Sequence, residues 1–320
     1  MGVRMKIVFM GTPDFAVGAL QAVIEAGHQV TAVVTQPDKP KGRGKEVQMT
    51  PVKVCAMAHN IPVFQPVKVK APEAVEVLRS YQADIFVVAA FGQILSEEIL
   101  EMPRYGCVNI HASLLPAYRG AGPIQWAIID GRRKTGITIM QMDKGLDTGD
   151  ILLQKEVMID ERETGDSLHD KLAAAGAELI VEALSKIEAS QVTPRRQNDE
   201  ESCYAKMLQK SMGKIDWNMT SEKLDCLIRG LISWPGAFTT YRGKTLKIWE
   251  EEPVEKVPSD GQIQEEEPGT VLGVEKDAFY VQTGKGVLKI LAVQMEGKKR
   301  MAVKDFLLGY PVKAGECLGN

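Results

Sequence analysis

Cysteine is scarce and scattered. Cys55, Cys107, Cys203, Cys226 and Cys317 are odd in number and form no C-x-x-C pair, so a disulfide framework and a structural zinc site are both disfavoured, and a cytoplasmic setting is expected. Long apolar runs are also missing. None approaches the roughly 18 residues a membrane helix needs, and the stretch Met1 to Phe15 has too short an apolar core for a secretory signal. The first strand-like run ends in G-T-P-D-F and lacks G-x-G-x-x-G, which disfavours a nicotinamide or flavin dinucleotide. Positive charge is not in excess either: 39 Lys and Arg stand against 42 Asp and Glu, for a net charge of -3. Any nucleic-acid site must therefore be local.

What is present is an ordinary globular composition, 44 % hydrophobic and 25 % charged, in 320 residues, enough for two cores. The most informative stretch is Cys107 to Ile124, C-V-N-I-H-A-S-L-L-P-A-Y-R-G-A-G-P-I. It opens as an alternating strand and breaks into a loop shaped by Pro116, Gly120, Gly122 and Pro123. Asn109 and His111 lie two apart, so an amide and an imidazole share one face at a strand end, where open α/β sheets bind ligands. A second stretch, M-D-K-G-L-D-T-G-D from Met142 to Asp150, follows a strand-like run from Gly136. Three carboxylates among glycines are poorly explained as core, although Asp143 and Asp150 also suit turn formation.

These two motifs together resemble the 10-formyl-tetrahydrofolate-dependent formyltransferases, and the similarity spans nearly all of the chain. Within that family the chain is most similar to the branch whose amine substrate is methionyl-initiator-tRNA. The resemblance implies a Rossmann-like N-terminal domain and a catalytic trio at Asn109, His111 and Asp147. It also implies a folate-binding segment at Ser113, Leu114, Leu115 and Pro116. It implies 10-formyl-tetrahydrofolate as co-substrate, with no metal. Formyl transfer to an amine builds a tetrahedral centre whose oxygen needs donors, and losing one such donor costs roughly 2.7–4 kcal/mol. Asn109 and a protonated His111 could supply them, with Asp147 orienting the ring and relaying protons. No Ser or Cys nucleophile is required, because the amine attacks.

In chain order, Lys6–Met10, a helix from Pro13 to about Ala26, and Gln29–Thr35 make a β-α-β opening. The loop that follows, Q-P-D-K-P-K-G-R-G-K-E-V, carries Lys39, Lys41, Arg43 and Lys45. Alone it reads as a solvated loop; the resemblance implies that it wedges into the tRNA acceptor stem, through Gly-flanked Arg43 and its lysine neighbours. Helices are expected at Pro51–His59, Pro72–Tyr81, after a Ser96 cap, and over Thr164–Ile187. Asp84–Phe91, apolar on both faces, suits a central parallel strand. Trp126 is expected to pack and His169 to lie on the surface. Ser190 to Tyr204 lacks periodicity and reads as a linker, with Arg195 and Arg196 as solvated charges. After an amphipathic helix at Ser221–Leu231, five short strands suggest an OB-like β-barrel. The acidic run Glu250 to Glu267 reads as a solvated connection, and Lys298, Lys299 and Arg300 as a weak phosphate-facing patch. The expected layout is thus an α/β, Rossmann-like, mostly parallel sheet domain over 1–189, a linker over 190–206, and an OB-like tRNA-binding domain over 207–320, as a monomer. Two other functions fit the same motifs: formyl transfer to a small amine, such as a purine precursor or an amino sugar, and a non-catalytic tRNA-binding relative.

Overall fold

A computed structural model describes residues 4–41, 46–255, 257 and 266–319. Strand β1 (Lys6–Gly11) leads through a 3-10 turn at Asp14–Ala16 into α1 (Val17–Glu25). Gly27, with φ +86, supplies the left-handed residue that ends this helix before β2 (Gln29–Val34). β3 (Lys39–Lys41) and β4 (Glu46–Gln48) pair antiparallel, Pro40 opposite Val47. The side chain of Thr50 caps α2 (Pro51–Ala58), accepting from the Lys53 N–H at 3.2 Å. Then follow β5 (Val63–Phe64), α3 (Pro72–Ser80), β6 (Ile85–Ala89) and α4 (Glu97–Leu100). Ser96 stands at the cap position of α4, but its hydroxyl is buried and makes no hydrogen bond among the described residues, so the expected cap is one of backbone position only.

β7 (Cys107–His111), β8 (Arg119–Gly120), α5 (Pro123–Ile129), β9 (Lys134–Gln141), β10 (Ile151–Met158) and α6 (Gly165–Glu188) complete this half. Seven strands form one sheet in the order β10-β9-β7-β6-β1-β2-β5. The pairings β5–β2, β2–β1, β1–β6 and β6–β7 are parallel, while β7–β9 and β9–β10 are antiparallel. The expected Rossmann-like, mostly parallel sheet is present. All five residues of β6 are buried, as a strand covered on both faces requires. Gly176 of α6 lies against Ile110, where an added Cβ would sit 2.9 Å from the Ile110 Cγ2. That contact assigns one face of β7 to packing and leaves Asn109 and His111 on the other.

The described chain divides into two compact units. One comprises Met1–Pro123, Lys134–Met158 and His169–Ala205; the other comprises Ile124–Arg133, Ile159–Leu168 and Lys206–Asn320. In the first, the segment read as a linker is pinned by backbone bonds. Arg195 and Ile151 exchange two, at 2.8 and 2.9 Å, and β11 (Tyr204–Ala205) runs parallel to β8. His169 is partly buried rather than a free surface group, its ring edge-on to Phe15 at 5.6 Å.

The second unit contains α7 (Ser221–Gly230), β12 (Ala237–Tyr241), β13 (Lys244–Val254), β14 (Val271–Val274), β15 (Phe279–Gln282), β16 (Val287–Met295), β17 (Met301–Ala302) and α8 (Val303–Gly309). Its sheet is antiparallel, in the order β12-β13-β16-β15-β14 with β17 on β16, and the five expected strands are all there. Leu224 and Ile228 of α7 and Phe306 of α8 pack with Leu231, Phe279 and Ile290 in one core. Trp126 donates from its indole N–H to the Lys206 carbonyl at 2.8 Å. The acidic run departs from expectation at its start: Glu250 to Val254 continue β13, and a bulge around Glu250 breaks the alternation set by Leu246 and Ile248 and turns Glu251 inward to 1 % exposure. Arg300 is engaged within the unit, lying over the Trp249 ring at 5.2 Å and 3.6 Å from Glu250.

Candidate active site

Two loops meet over the polar face of β7. Asn109 is half-buried there, and its amide has no hydrogen-bond partner among the described residues. His111, the last residue of the strand, is 5 % exposed. Its Nε2 lies 2.9 Å from the Tyr118 carbonyl. A carbonyl oxygen only accepts, so Nε2 carries a hydrogen and Nδ1 is the nitrogen left to gain or lose a proton. Nδ1 faces the Asp147 carboxylate, Oδ2, at 3.7 Å, close enough for attraction but beyond a hydrogen bond.

Asp147 arrives by an unusual route. β9 runs antiparallel to β7, so the Met142 N–H meets the Cys107 carbonyl at 2.8 Å, at the far end of β7 from His111. The loop 142–150 must fold back along the strand. Asp143 closes its start, accepting from the Gly145 N–H at 3.0 Å and the Thr148 hydroxyl at 2.7 Å. Asp147 takes a left-handed φ of +54, a costly choice for a residue other than glycine. Gly149 then lies so tight against the Gln141 carbonyl that no Cβ would fit. The carboxylate accepts from the Gly120 N–H at 2.8 Å, which ties this loop to the one after β7. Tyr118 is also left-handed, with φ +60. Non-glycine residues in this region gather at functional sites, and two stand here within reach of one histidine. Asp150 serves the loop through its backbone, its carbonyl accepting from the Gln141 N–H at 2.8 Å.

The four segment residues expected at folate divide by burial. Ser113 is fully buried and donates to the Ala117 carbonyl at 2.6 Å, and Leu115 is 2 % exposed, packed on Met140 and Ile151. Their side chains shape the loop. Leu114 and Pro116 stay half-open and, with Leu115, Ile151, Gln154 and Arg195, line a cavity of about 530 Å³. Burial pushes the Cys107 thiol up to about 12, so it remains a packing group. No three His, Cys, Asp or Glu side chains are grouped to hold a metal among the described residues.

Of the basic loop, Lys39 is exposed on β3. Arg43, Lys45 and the side chain of Lys41 lie outside the described residues. Patterning gave no sign of Gln197 and Arg119. Both are buried, at 6 % and 3 % exposure, and Gln197 donates to the Asp147 and Gly149 carbonyls at 2.8 and 2.7 Å. The one sequence cue is a glutamine inside a run of otherwise solvated charges.

A doubly wound α/β sheet here presents an amide and an imidazole from β7 beside a carboxylate from the loop after β9, groups suited to electrostatic and proton-transfer chemistry. Residues 5–184 match the formyl transferase family model, and residues 207–311 match the model of the formyl transferase C-terminal domain. The chain belongs to the formyl transferase family. A methionyl-tRNA formyltransferase of Lachnospira eligens is 54 % identical over 99 % of this chain and 100 % of its own length. One from Clostridioides difficile is 47 % identical over 98 % of this chain and all of its own. Among solved structures, the sugar 3N-formyl transferase WlaRD superposes with a TM-score of 0.66, at 20 % identity over 93 % of this chain and 100 % of that one. HypX from Aquifex aeolicus, in complex with tetrahydrofolic acid, does so at 0.65, with 17 % identity over 99 % of this chain and 51 % of that longer one. At such identities the solved structures speak for the fold alone.

Proposed function

We propose that this chain transfers the formyl group of 10-formyl-tetrahydrofolate to the α-amine of methionyl-initiator-tRNA, acting as a monomer. The observation that carries this reading is the approach of Asp147 to His111 on the strand face that also presents Asn109. The near-full-length similarity to methionyl-tRNA formyltransferases supports the choice of substrate. The donor supplies the formyl carbon. Leu114 and Pro116 offer apolar wall and Gln154 a polar group in a cavity large enough for part of a flat heterocycle.

The chain's own residues account for the rest. The Asn109 amide, without a partner among the described residues, donates to the oxygen on which charge develops. Nδ1 of His111 exchanges the proton that must leave the attacking amine and reach the departing nitrogen. Asp147 stabilises the protonated ring. The methionyl amine adds to the formyl carbon to give the tetrahedral centre, which then collapses as the bond to the folate nitrogen breaks and that nitrogen takes up the proton, so protons and charge balance without a covalent enzyme intermediate. We assign Lys39, Lys41, Arg43 and Lys45 to the acceptor end of the tRNA and the C-terminal sheet unit to the tRNA body.

The test is formyl transfer to charged initiator tRNA, compared with glycinamide ribonucleotide and an amino-sugar nucleotide, in the wild type and in His111→Asn. Transfer to the charged tRNA alone, lost in the variant, is the expected result. Faster turnover of either small amine overturns the substrate assignment, and undiminished transfer by His111→Asn overturns the mechanism. Arg43→Ala is expected to lower kcat/KM for charged tRNA by roughly tenfold, a typical worth for one well-placed arginine contact, with tetrahydrofolate affinity unchanged. An unaltered kcat/KM removes the loop from the reading.

A further inference from the structure

We infer that Gln197 is a positioning residue for the formyl transfer, acting through Asp147, and that Arg119 holds it in place. The inference rests on the role proposed for Asp147. The geometry is a saturated amide. Nε2 of Gln197 donates to the carbonyls of Asp147 and Gly149 at 2.8 and 2.7 Å. Oε1 accepts from Nε and Nη2 of Arg119 at 3.0 and 2.9 Å. An amide has two donors and two lone pairs, and all four are spent here in a buried setting, where such bonds are costly to lose.

The two carbonyls held are those of the left-handed Asp147 and of the glycine that folds the loop back. Without those donors the loop has little reason to keep Asp147 in its left-handed conformation. Arg119 closes the circuit. Its N–H donates to the Cys203 carbonyl at 2.9 Å, its Nη2 reaches Asp199 at 2.8 Å, and the next residue, Gly120, gives its N–H to the Asp147 carboxylate. Gly120 has φ +112, and a Cβ there would stand 2.8 Å from the Ala205 carbonyl, so the loop after β7 lies directly on the strand β11. One side chain from a segment that reads as linker thereby sets the backbone of Asp147, and its arginine partner sets the donor that aims the carboxylate.

Gln197→Glu separates positioning from support. The isosteric carboxylate keeps and strengthens the pair with Arg119, yet turns an acceptor toward two carbonyls. Expected are a fall in kcat on the order of 100-fold, the scale of a small misplacement of a reacting group, little change in KM for charged tRNA, and a lowered melting temperature, offset in part by the stronger pair with Arg119. Loss of amide-exchange protection in residues 143–149 should accompany it. Combined with Asp147→Ala, Gln197→Glu should add no further loss, because it acts through a group already gone. A structural role would give multiplied losses or a raised KM, and either outcome overturns the inference, as does an unchanged kcat. If Asp147→Ala alone leaves kcat intact, the mechanism falls first. Should Gln197→Glu fail to fold, Gln197→Asn, one methylene short of the carbonyls, carries the same kcat and double-variant criteria.

Discussion

Two polar clusters in this molecule are built from the same kinds of side chain and finish differently. In the second unit, Arg229 grips Oδ2 of Asp225 with Nε at 2.9 Å and Nη2 at 2.5 Å, and donates to the Glu163 carbonyl at 2.7 Å. Arg162 takes the other Asp225 oxygen at 2.5 Å and the Glu251 carbonyl at 2.6 Å. Hydrogen-bonding capacity there is mostly spent inside the protein. At the end of β7 it is not: Asn109 has no partner among the described residues, and His111 and Asp147 stand 3.7 Å apart, close without touching. Saturated buried charge holds elements in register, whereas polar groups left short of partners at loop ends are available to a substrate.

That contrast breaks if the open cluster proves to be architecture. The largest effect is therefore expected at His111. His111→Ala should lower kcat by on the order of 10³-fold, combining loss of a donor and a proton carrier, while the melting temperature stays near the wild type. Single-turnover formyl transfer and a thermal melt on the same preparation check it. A comparable fall in stability would place His111 with the structural group.

The closed cluster should show the reverse. Arg229→Met leaves Asp225 buried with fewer partners and should cost about 3–5 kcal/mol of stability, with unchanged formyl transfer per folded molecule. All four tryptophans, Trp126, Trp217, Trp234 and Trp249, lie in the second unit, so urea unfolding followed by their fluorescence reports on it. A stable variant with impaired transfer would erase the distinction.

The contrast also explains what was legible in the sequence. Apolar alternation announces β7, β9 and the C-terminal strands, and unbroken apolar character announces β6, because burial writes a local period into the chain. Asn109 and His111 are legible for the same reason, being fixed two apart on one strand. Asp147 is legible only through its motif, since its meeting with His111 depends on a loop folding back along β7. Gln197 is hidden because its partners, Arg119 and the 147–149 carbonyls, are distant in sequence and two of them are backbone. Glu251 misleads outright: among Glu250, Glu252 and their acidic neighbours it looks solvated, and only the inward turn of β13 buries it.

Glu251 is the one member of the closed cluster left open, and it sharpens the comparison most finely. Among the described residues its Oε2 is buried without a hydrogen bond, and Oε1 accepts only a long one from Arg162 Nη2, at 3.5 Å. Burial first, and the Asp225 carboxylate second, push its pKa from 4.5 up to about 8, against the opposing pull of Arg162 and Arg229. The folded state therefore holds this proton where the unfolded chain releases it. The stabilising contribution is complete below about pH 4.5 and is lost as pH rises through about 8. Glu251→Gln retains the neutral shape at every pH, so its tryptophan-monitored stability should decline less between pH 5 and 8.5 than that of the wild type. Each unit of displacement corresponds to about 1.4 kcal/mol. The pull of the two guanidiniums is already contained in that displacement, so the expected gain at pH 8 is on the order of a few kcal/mol. A variant that follows the wild-type curve would mean that Glu251 is ionised and fully satisfied by Arg162, making it a closed member of the cluster after all.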